Sequence, residues 1–137
     1  MKVKKKSNLE QLIHSLQLSQ NIMLMGFVEN PYPYIKKSKY LVMTSRNEGF
    51  PMVLIESLAC QTPVISFDMP SGPSEIIKHR SNGILVKNQD KEMLVSSMNE
   101  MYSNTTLYTT CKENSLQSVN EFSLERIGNQ WLQFLSE

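Results

Sequence analysis

Long apolar runs and the familiar glycine-rich phosphate-binding patterns are both missing from this sequence. No stretch approaches the roughly 18 to 20 consecutive apolar residues that a membrane-spanning helix needs, and the amino end lacks the apolar segment of a signal peptide. Neither a GxGxxG pattern nor a P-loop occurs. These absences predict a cytoplasmic protein without a transmembrane segment, and they argue against an unrelated Rossmann-like nucleotide-binding domain.

Cysteine is scarce, and neither cysteine nor histidine is arranged as a metal site. Cys60 and Cys111 lie far apart in segments with helical character, so the sequence suggests neither a disulfide framework nor a CxxC site. His14 and His79 have no neighbouring ligands at metal-binding spacing. We therefore expect two unreactive thiols, one of them buried, and no bound metal.

A strong excess of either charge is also absent, since the formal net charge is +1. The main basic run, Lys2–Lys6, lies at the amino end without interleaved aromatic residues, so nucleic acid is not an expected partner. The hydrophobic fraction of 40% and the charged fraction of 20% are typical of a folded globular protein. A chain of 137 residues has the size of one domain, and we predict a single domain over residues 1–137.

Short apolar runs without alternation indicate strands that are buried on both faces. Four such runs occur, at Ile22–Met25, Tyr40–Thr44, Pro63–Phe67 and Ile84–Val86. Helical periodicity or helix-start signals lie at about Ser7–Leu18, within Asn30–Ile35, at Pro51–Cys60, Ser71–His79, Lys91–Met101 and Leu107–Val119, and after Ser123. Because strands that alternate with helices form a parallel sheet, the sequence predicts an α/β, Rossmann-like fold of about four parallel strands with helices on both faces.

The loop after the second predicted strand has the design of a ligand site. It runs over Ser45–Phe50 and enters a helix at Pro51, whose unpaired amides and positive dipole end can bind phosphate or sugar oxygens. Gly49 allows a ligand to approach the backbone. Glu48 in the loop and Glu56 in the helix can each accept a pair of hydrogen bonds from a sugar diol. The alternative is that Glu48 only favours the helix dipole and that Glu56 is a solvated surface acid.

The loop after the third predicted strand repeats this design more weakly. Ser71 and Gly72 stand before Pro73 at a helix start, where they could hold a phosphate or a sugar hydroxyl. The alternative is a capped turn with Glu75 in the first helical turn. Arg46 could contact a phosphate, although isolated arginines are usually solvated.

The last helix carries an apolar stripe that we expect to pack in the core or in an interface. Its members are Leu124, Ile127, Trp131 and Phe134.

The residues themselves resemble glycosyltransferase family 4, whose members are retaining enzymes of the two-domain GT-B architecture. The similarity covers most of the chain, with several motifs in the order in which the family has them. They lie at 21–27 (NIMLMGF), 44–56 (TSRNEGFPMVLIE), 62–66 (TPVIS), 71–77 (SGPSEII) and 82–86 (NGILV).

This resemblance implies transfer of a sugar from a nucleoside diphosphate sugar to an acceptor, with retained anomeric configuration and without a bound metal or other cofactor. The family's two glutamates map onto Glu48, the candidate catalytic residue that contacts hydroxyls of the transferred sugar, and Glu56, which contacts the ribose. The implied backbone contacts to sugar and diphosphate lie at Gly49, Phe50, Pro51, Met52 and Val53.

The chain departs from the family's pattern in one local feature. Gln61 stands where many relatives have glycine, and a non-glycine residue in a left-handed helix cap costs about 1 kcal/mol. This difference puts the geometry of the turn in question and leaves the implied function unchanged.

The larger departure is that two parts of the family's architecture have no counterpart in this sequence. One is the acceptor domain. The other is the first two strands of the donor domain, which bring an arginine and a lysine to the diphosphate. We therefore expect the isolated chain to be inactive, as a truncated gene product, a piece of a split enzyme or a part excised from a longer protein. By the same resemblance, the full-length enzyme is peripheral to the inner face of the membrane and takes part in polysaccharide biosynthesis. The alternative function is a non-catalytic interaction module on the same scaffold.

Without those two strands, Ile22–Met25 would be separated from Tyr40–Thr44 in the usual strand order. We predict either direct pairing of these two strands or pairing of exposed sheet edges between two chains, which would give a homo-oligomer.

Overall fold

A computed structural model gives the fold and describes residues 2–136, with side chains described from residue 6 onward. The chain forms two compact units, Met1–Pro31 and Tyr32–Glu137. The single domain over residues 1–137 stays a prediction.

The first unit contains one helix, α1, over Lys2–Ser15. The helix predicted at Ser7–Leu18 therefore exists, but it begins before Ser7 and ends before Leu18. Gln17 takes the left-handed conformation with φ 56°, and the amide of Leu18 turns back to bond the carbonyl of Ile13 at 3.0 Å, which ends the helix.

The strand predicted at Ile22–Met25 is wrong, because this segment has no regular structure. The side chain of Met23 is 79% exposed, and those of Ile22 and Met25 are more than 40% exposed. A strand is stable only when a neighbour completes its ladder of hydrogen bonds, and the described chain pairs no strand with this segment. The predicted pairing of this segment with Tyr40–Thr44 fails together with the strand itself.

The second unit alternates helices and strands before it ends in a run of helices. Its elements are α2 Tyr32–Lys37, β1 Leu41–Met43, α3 Met52–Ala59, β2 Val64–Asp68, α4 Pro73–Ile76, β3 Gly83–Lys87, α5 Lys91–Ser103, α6 Thr105–Ser118, a 3₁₀ turn Asn120–Phe122 and α7 Leu124–Ser136.

The three strands form one parallel sheet in the order β1, β2, β3, with Leu41 opposite Val64 and Val64 opposite Gly83. In the central strand β2, Val64 to Phe67 are all buried, as expected for a strand covered on both faces. The α/β class, the parallel sheet and the flanking helices are confirmed. The strand count is three in the described chain rather than about four.

The core lies between this sheet and the helices α3, α4 and α5, while α6 packs on α3 and α5. Cys111 of α6 is completely buried, and this burial raises the pKa of its thiol to about 11. Cys60 is partly exposed, so the prediction of one buried thiol is confirmed. The largest side chains in the core that are less than 2% exposed include Leu54, Leu58, Ile65, Ile76, Ile84 and Met101.

Two helix ends show how local chemistry sets the boundaries. Gln61 follows α3 with φ 57°, so the turn keeps the left-handed conformation although its residue is not glycine, which answers the question that the sequence left open. The helix predicted to reach His79 ends at Ile76, because the buried side chain of Asn82 takes over its backbone groups. Asn82 accepts a hydrogen bond from the amide of Lys78 at 2.9 Å and donates one to the carbonyl of Ile76 at 3.0 Å.

The last helix, α7, is capped as predicted, since the hydroxyl of Ser123 accepts a hydrogen bond from the amide of Arg126 at 3.3 Å. Its apolar stripe does not enter the core of the described chain. Leu124 is 90% exposed, and Trp131 and Phe134, which contact each other edge to face, are 61% and 70% exposed. The expected core packing is therefore wrong, and a role in an interface stays a prediction.

Candidate functional site

The two candidate loops lie at the same edge of the sheet. Strands β1 and β2 run parallel and end at Met43 and Asp68, and each is followed by a loop that leads into a helix. The carboxyl edge of a parallel sheet is where open α/β folds bind their ligands. We call residues 44–51 the first loop and residues 69–72 the second loop.

The first loop presents its central residues to solvent. Glu48, Gly49 and Phe50 are all exposed. A Cβ atom added at Gly49 would meet nothing within 4 Å, and the residue does not need a positive φ. The glycine therefore leaves open space beside the backbone that a ligand could enter. Arg46 is exposed in the same loop.

Helix α3 begins at the end of the first loop without a side chain at the positive end of its dipole. Pro51 is the N-cap residue, and within the described chain no side chain caps the helix or places a carboxylate in its first turn. The amide of Met52 bonds the carbonyl of Phe50 at 2.9 Å, and that of Leu54 bonds the carbonyl of Pro51 at 3.0 Å. Such a helix start attracts anions.

Glu56 lies in the second turn of α3, half-buried, with a partner that the sequence did not indicate. The hydroxyl of Tyr32, from α2, donates a hydrogen bond to Oε1 of Glu56 at 3.4 Å. The negative charge of Glu56 is the main cause that raises the pKa of Tyr32, with smaller contributions from desolvation and from the hydrogen bond. The carboxylate of Glu56 is thus already engaged by a phenol on one of its oxygens.

The second loop contacts the first loop at two points. The hydroxyl of Ser71 donates a hydrogen bond to the carbonyl oxygen of Glu48 at 3.0 Å. Gly72 has φ +97°, and a Cβ atom added there would overlap Cδ of Pro51 and lie 3.1 Å from its Cγ. The helix that follows, α4, has only four residues, so it offers a much shorter dipole than α3.

A third contact holds the first loop from the carboxyl-terminal part of the chain. The ring of Phe50 meets the ring of Phe122 edge to face, with centroids 5.8 Å apart and an interplanar angle of 61°. Phe122 belongs to the 3₁₀ turn between α6 and α7. No local sequence pattern indicates this contact, because the two rings lie far apart in the chain. Tyr32, the partner of Glu56, lies in a proline-containing turn that the sequence does show.

The structure thus brings Glu48, Phe50 and Pro51 together with the sequence-predicted Ser71 and Gly72, and it adds Phe122. Met52 and Val53 form the first turn of α3, with Met52 exposed and Val53 half-buried. Contacts of all these residues with a ligand stay predictions.

The described residues contain neither a metal-binding cluster nor a membrane-spanning helix. No group of three or more histidine, cysteine or acidic side chains is placed to hold a metal ion. No helix within residues 2–136 has the length and apolar character needed to cross a bilayer.

Comparison with known proteins connects this site to one family. The family model described as group 1 glycosyl transferases matches residues 2–118. A similar curated protein is N-acetylgalactosamine-N,N'-diacetylbacillosaminyl-diphospho-undecaprenol 4-alpha-N-acetylgalactosaminyltransferase of Campylobacter jejuni, which is 32% identical over 130 residues. That alignment covers 95% of the chain and 36% of the relative, so the chain spans about a third of this relative's length.

Two solved structures have the same fold over nearly the whole chain. A Staphylococcus aureus TarM variant, solved with fondaparinux, alpha-GlcNAc-glycerol and UDP, is 26% identical with a TM-score of 0.87, covering 96% of this chain and 27% of its own. Anabaena HepE, solved with UDP and glucose, is 25% identical with a TM-score of 0.84, covering 95% of this chain and 36% of its own. Because the family model spans most of the chain, this chain belongs to the group 1 glycosyl transferases.

Proposed function

We propose that this chain is the nucleotide-sugar-binding part of a retaining glycosyltransferase of family 4. The reaction is transfer of a sugar from a nucleoside diphosphate sugar to an acceptor with retention of the anomeric configuration. In this proposal Glu48 is the catalytic residue that contacts hydroxyls of the transferred sugar, and Glu56 binds the ribose. Backbone groups of Gly49–Val53 approach the sugar and the diphosphate, and no metal takes part.

The start of α3 is the observation that carries this proposal. The helix has no capping side chain and no acidic residue in its first turn, so no side chain competes with a diphosphate for its positive end. Glu48 lies before this helix start and Glu56 lies in the helix, so one donor could meet a carboxylate at each end. The open space beside Gly49 allows a ligand to approach the backbone.

The similar structures support the class of donor. TarM and HepE were each solved with UDP, and both have high TM-scores to this chain. A diphosphate offers only acceptor oxygens, which suits the amide donors at the start of a helix. We therefore take UDP as the first probe of the site.

The proposal includes the need for a second domain. The chain spans about a third of the Campylobacter jejuni relative, and the acceptor is expected to bind to an amino-terminal domain outside these residues. We expect the isolated chain to bind a donor without transferring its sugar. The name of that relative contains diphospho-undecaprenol, which supports a peripheral location of the full-length enzyme at the inner face of the membrane.

Titration of UDP and GDP into the ¹⁵N-labelled chain, followed by NMR, tests the site. We expect shifts at the amides of Glu48, Gly49 and Glu56, and an affinity about tenfold lower for Glu56→Gln, because a charge-assisted hydrogen bond to the ribose is lost. Glu113→Gln, at an exposed glutamate of α6, is the matched control and should leave the affinity unchanged. Shifts confined to other parts of the chain would contradict the proposed site.

The alternative is a non-catalytic interaction module, which the exposed side chains of α7 favour. Leu132 and Leu135 are 68% and 74% exposed and extend the apolar surface around Trp131. In this function the helix and a sheet edge bind a partner, and the first loop binds no donor. Absence of any UDP-induced shift at millimolar concentration would favour the module over the transferase.

A homo-oligomer formed through the edge of β1 belongs to the same set of proposals. Within the described chain β1 pairs with β2 alone, which leaves its other edge without a ladder. Size-exclusion chromatography with light scattering should then give a mass that rises with concentration. A monomer of constant mass across a hundredfold range of concentration would exclude edge pairing at those concentrations.

A further inference from the structure

The second loop holds the first loop at both ends of the segment Glu48 to Pro51. Ser71 bonds the carbonyl oxygen of Glu48 at the beginning of this segment, at 3.0 Å. Gly72 packs without a Cβ atom against the ring of Pro51 at its end. The two contacts come from adjacent residues, so a shift of the second loop would move both ends of the segment together.

The hydroxyl of Ser71 is poorly suited to bind a diphosphate directly. A serine hydroxyl has one donor hydrogen, and here that hydrogen goes to the carbonyl of Glu48. The lone pairs that remain can only accept, whereas a diphosphate needs donors. The contact therefore favours a role in which Ser71 acts on the first loop.

Only glycine fits at position 72. Its φ of +97° lies in the region that L side chains rarely adopt, and the nearest atoms of Pro51 already occupy the place of a Cβ atom. Close packing of the two loops requires both properties of glycine at once. The conformation of Gly72 thus sets how closely the second loop approaches the start of α3.

We propose that Ser71 and Gly72 are positioning residues of the donor site, which act through the backbone of Glu48 and Pro51. This inference rests on the proposed function, in which Glu48 contacts the transferred sugar. Loss of the Ser71 hydroxyl changes the position of Glu48, so it affects a ligand that carries the sugar more than one that lacks it. A residue with a merely structural role would not separate these two ligands.

Parallel titrations of UDP and UDP-N-acetylglucosamine into the full chain test this separation. We expect Ser71→Ala to weaken binding of the nucleotide sugar about three- to tenfold, the range for one lost hydrogen bond, and to weaken UDP less than about twofold. Ser71→Thr keeps the hydroxyl and should restore the affinity. Equal weakening of both ligands by Ser71→Ala would overturn the proposal.

Ser103→Ala is the matched control. Ser103 also donates its hydroxyl to a backbone carbonyl, that of Asn99 at 2.8 Å, but at the end of α5. It should change neither affinity. A loss in this variant as large as that in Ser71→Ala would overturn the assignment.

A double-mutant cycle with Glu48→Ala tests whether Ser71 acts through Glu48. If it does, Ser71→Ala causes no further loss of affinity for UDP-N-acetylglucosamine once the carboxylate of Glu48 is gone. Losses that simply add would show that Ser71 acts independently, and they would overturn the proposal.

A measurement without ligand separates this inference from the proposed function. The ¹⁵N order parameters of Gly49 and Phe50 should fall in Ser71→Ala and stay unchanged in Ser103→Ala, because only the first variant releases the loop. If the wild-type chain binds neither ligand, the proposed function fails. The order parameters still show in that case whether Ser71 restrains the first loop. Unchanged order parameters in Ser71→Ala would overturn it.

Discussion

Gly49 and Gly72 lie in neighbouring loops at one edge of the sheet, yet they have opposite surroundings. A Cβ atom at Gly49 would meet nothing within 4 Å, and its backbone does not need a positive φ. A Cβ atom at Gly72 would overlap the ring of Pro51, at φ +97°. Gly49 therefore leaves space toward solvent, whereas Gly72 lets the second loop pack closely against the ring of Pro51.

The difference separates two uses of glycine that look alike in a sequence. Both residues stand near a proline at the start of a helix, and either could be read as a phosphate-binding glycine. Only the space around each one shows that the first suits a ligand and the second suits packing. The largest expected effects follow from changing each glycine to alanine.

Gly72→Ala should destabilise the fold by about 2 to 4 kcal/mol, because strain at positive φ and overlap with Pro51 act together. Urea unfolding measures this free energy. Gly128→Ala, where a Cβ atom on helix α7 meets nothing within 4 Å, is the control and should stabilise the chain slightly. A loss below about 1 kcal/mol for Gly72→Ala would contradict the close packing of the loops.

Gly49→Ala should change the free energy of unfolding by less than about 0.5 kcal/mol, because its backbone and its surroundings accept a methyl group. We expect instead an affinity for UDP-N-acetylglucosamine that is about tenfold lower, since the methyl group occupies space where the ligand approaches. Titration and urea unfolding of the same variant separate the two effects. Unchanged affinity would remove Gly49 from the donor site.

Phe122→Leu should destabilise the fold by about 1 kcal/mol, through loss of the edge-to-face contact with Phe50. Phe134→Leu is the control, because Phe134 also meets an aromatic ring edge to face, that of Trp131, but on the exposed helix α7. Phe134→Leu should lower the free energy of unfolding in urea by less than Phe122→Leu does. Equal effects of the two variants would show that the contact to the first loop adds no stability.

Tyr32→Phe should have the smallest effect, a two- to threefold weaker binding of UDP, because the 3.4 Å hydrogen bond from Tyr32 to Glu56 is long. Without that bond, Glu56 loses one restraint on its orientation. Tyr34→Phe, at a neighbouring exposed tyrosine of α2, serves as the control. An identical affinity for Tyr32→Phe and wild type would leave Tyr32 outside the site.

Local signals predicted much of this structure correctly. Pro51 and Pro73 stand at the starts of helices, and Ser123 caps α7. The strands β1 to β3 all lie within apolar runs of the sequence. These features depend on residues within a few positions of one another, which is the range over which a sequence pattern carries structural information.

The failures involve contacts that no local pattern in the sequence indicates. Ile22–Met25 has the composition of a strand, but within the described residues no strand pairs with it. The contact of Ser71 with Glu48 spans 23 positions, and no motif announces it. The stripe around Trp131 has the periodicity of a core helix, yet it is exposed. Periodicity shows that a face of a helix is apolar, but it does not show what covers that face.

Trp131 is the single tryptophan of the chain, and it lies on the exposed face of α7. Its indole ring therefore provides an intrinsic optical reporter that needs no label. In the free chain it should emit as a water-exposed fluorophore, accessible to a soluble quencher. A shift of this emission to shorter wavelength, with loss of quenching, would report the moment at which another surface covers the helix.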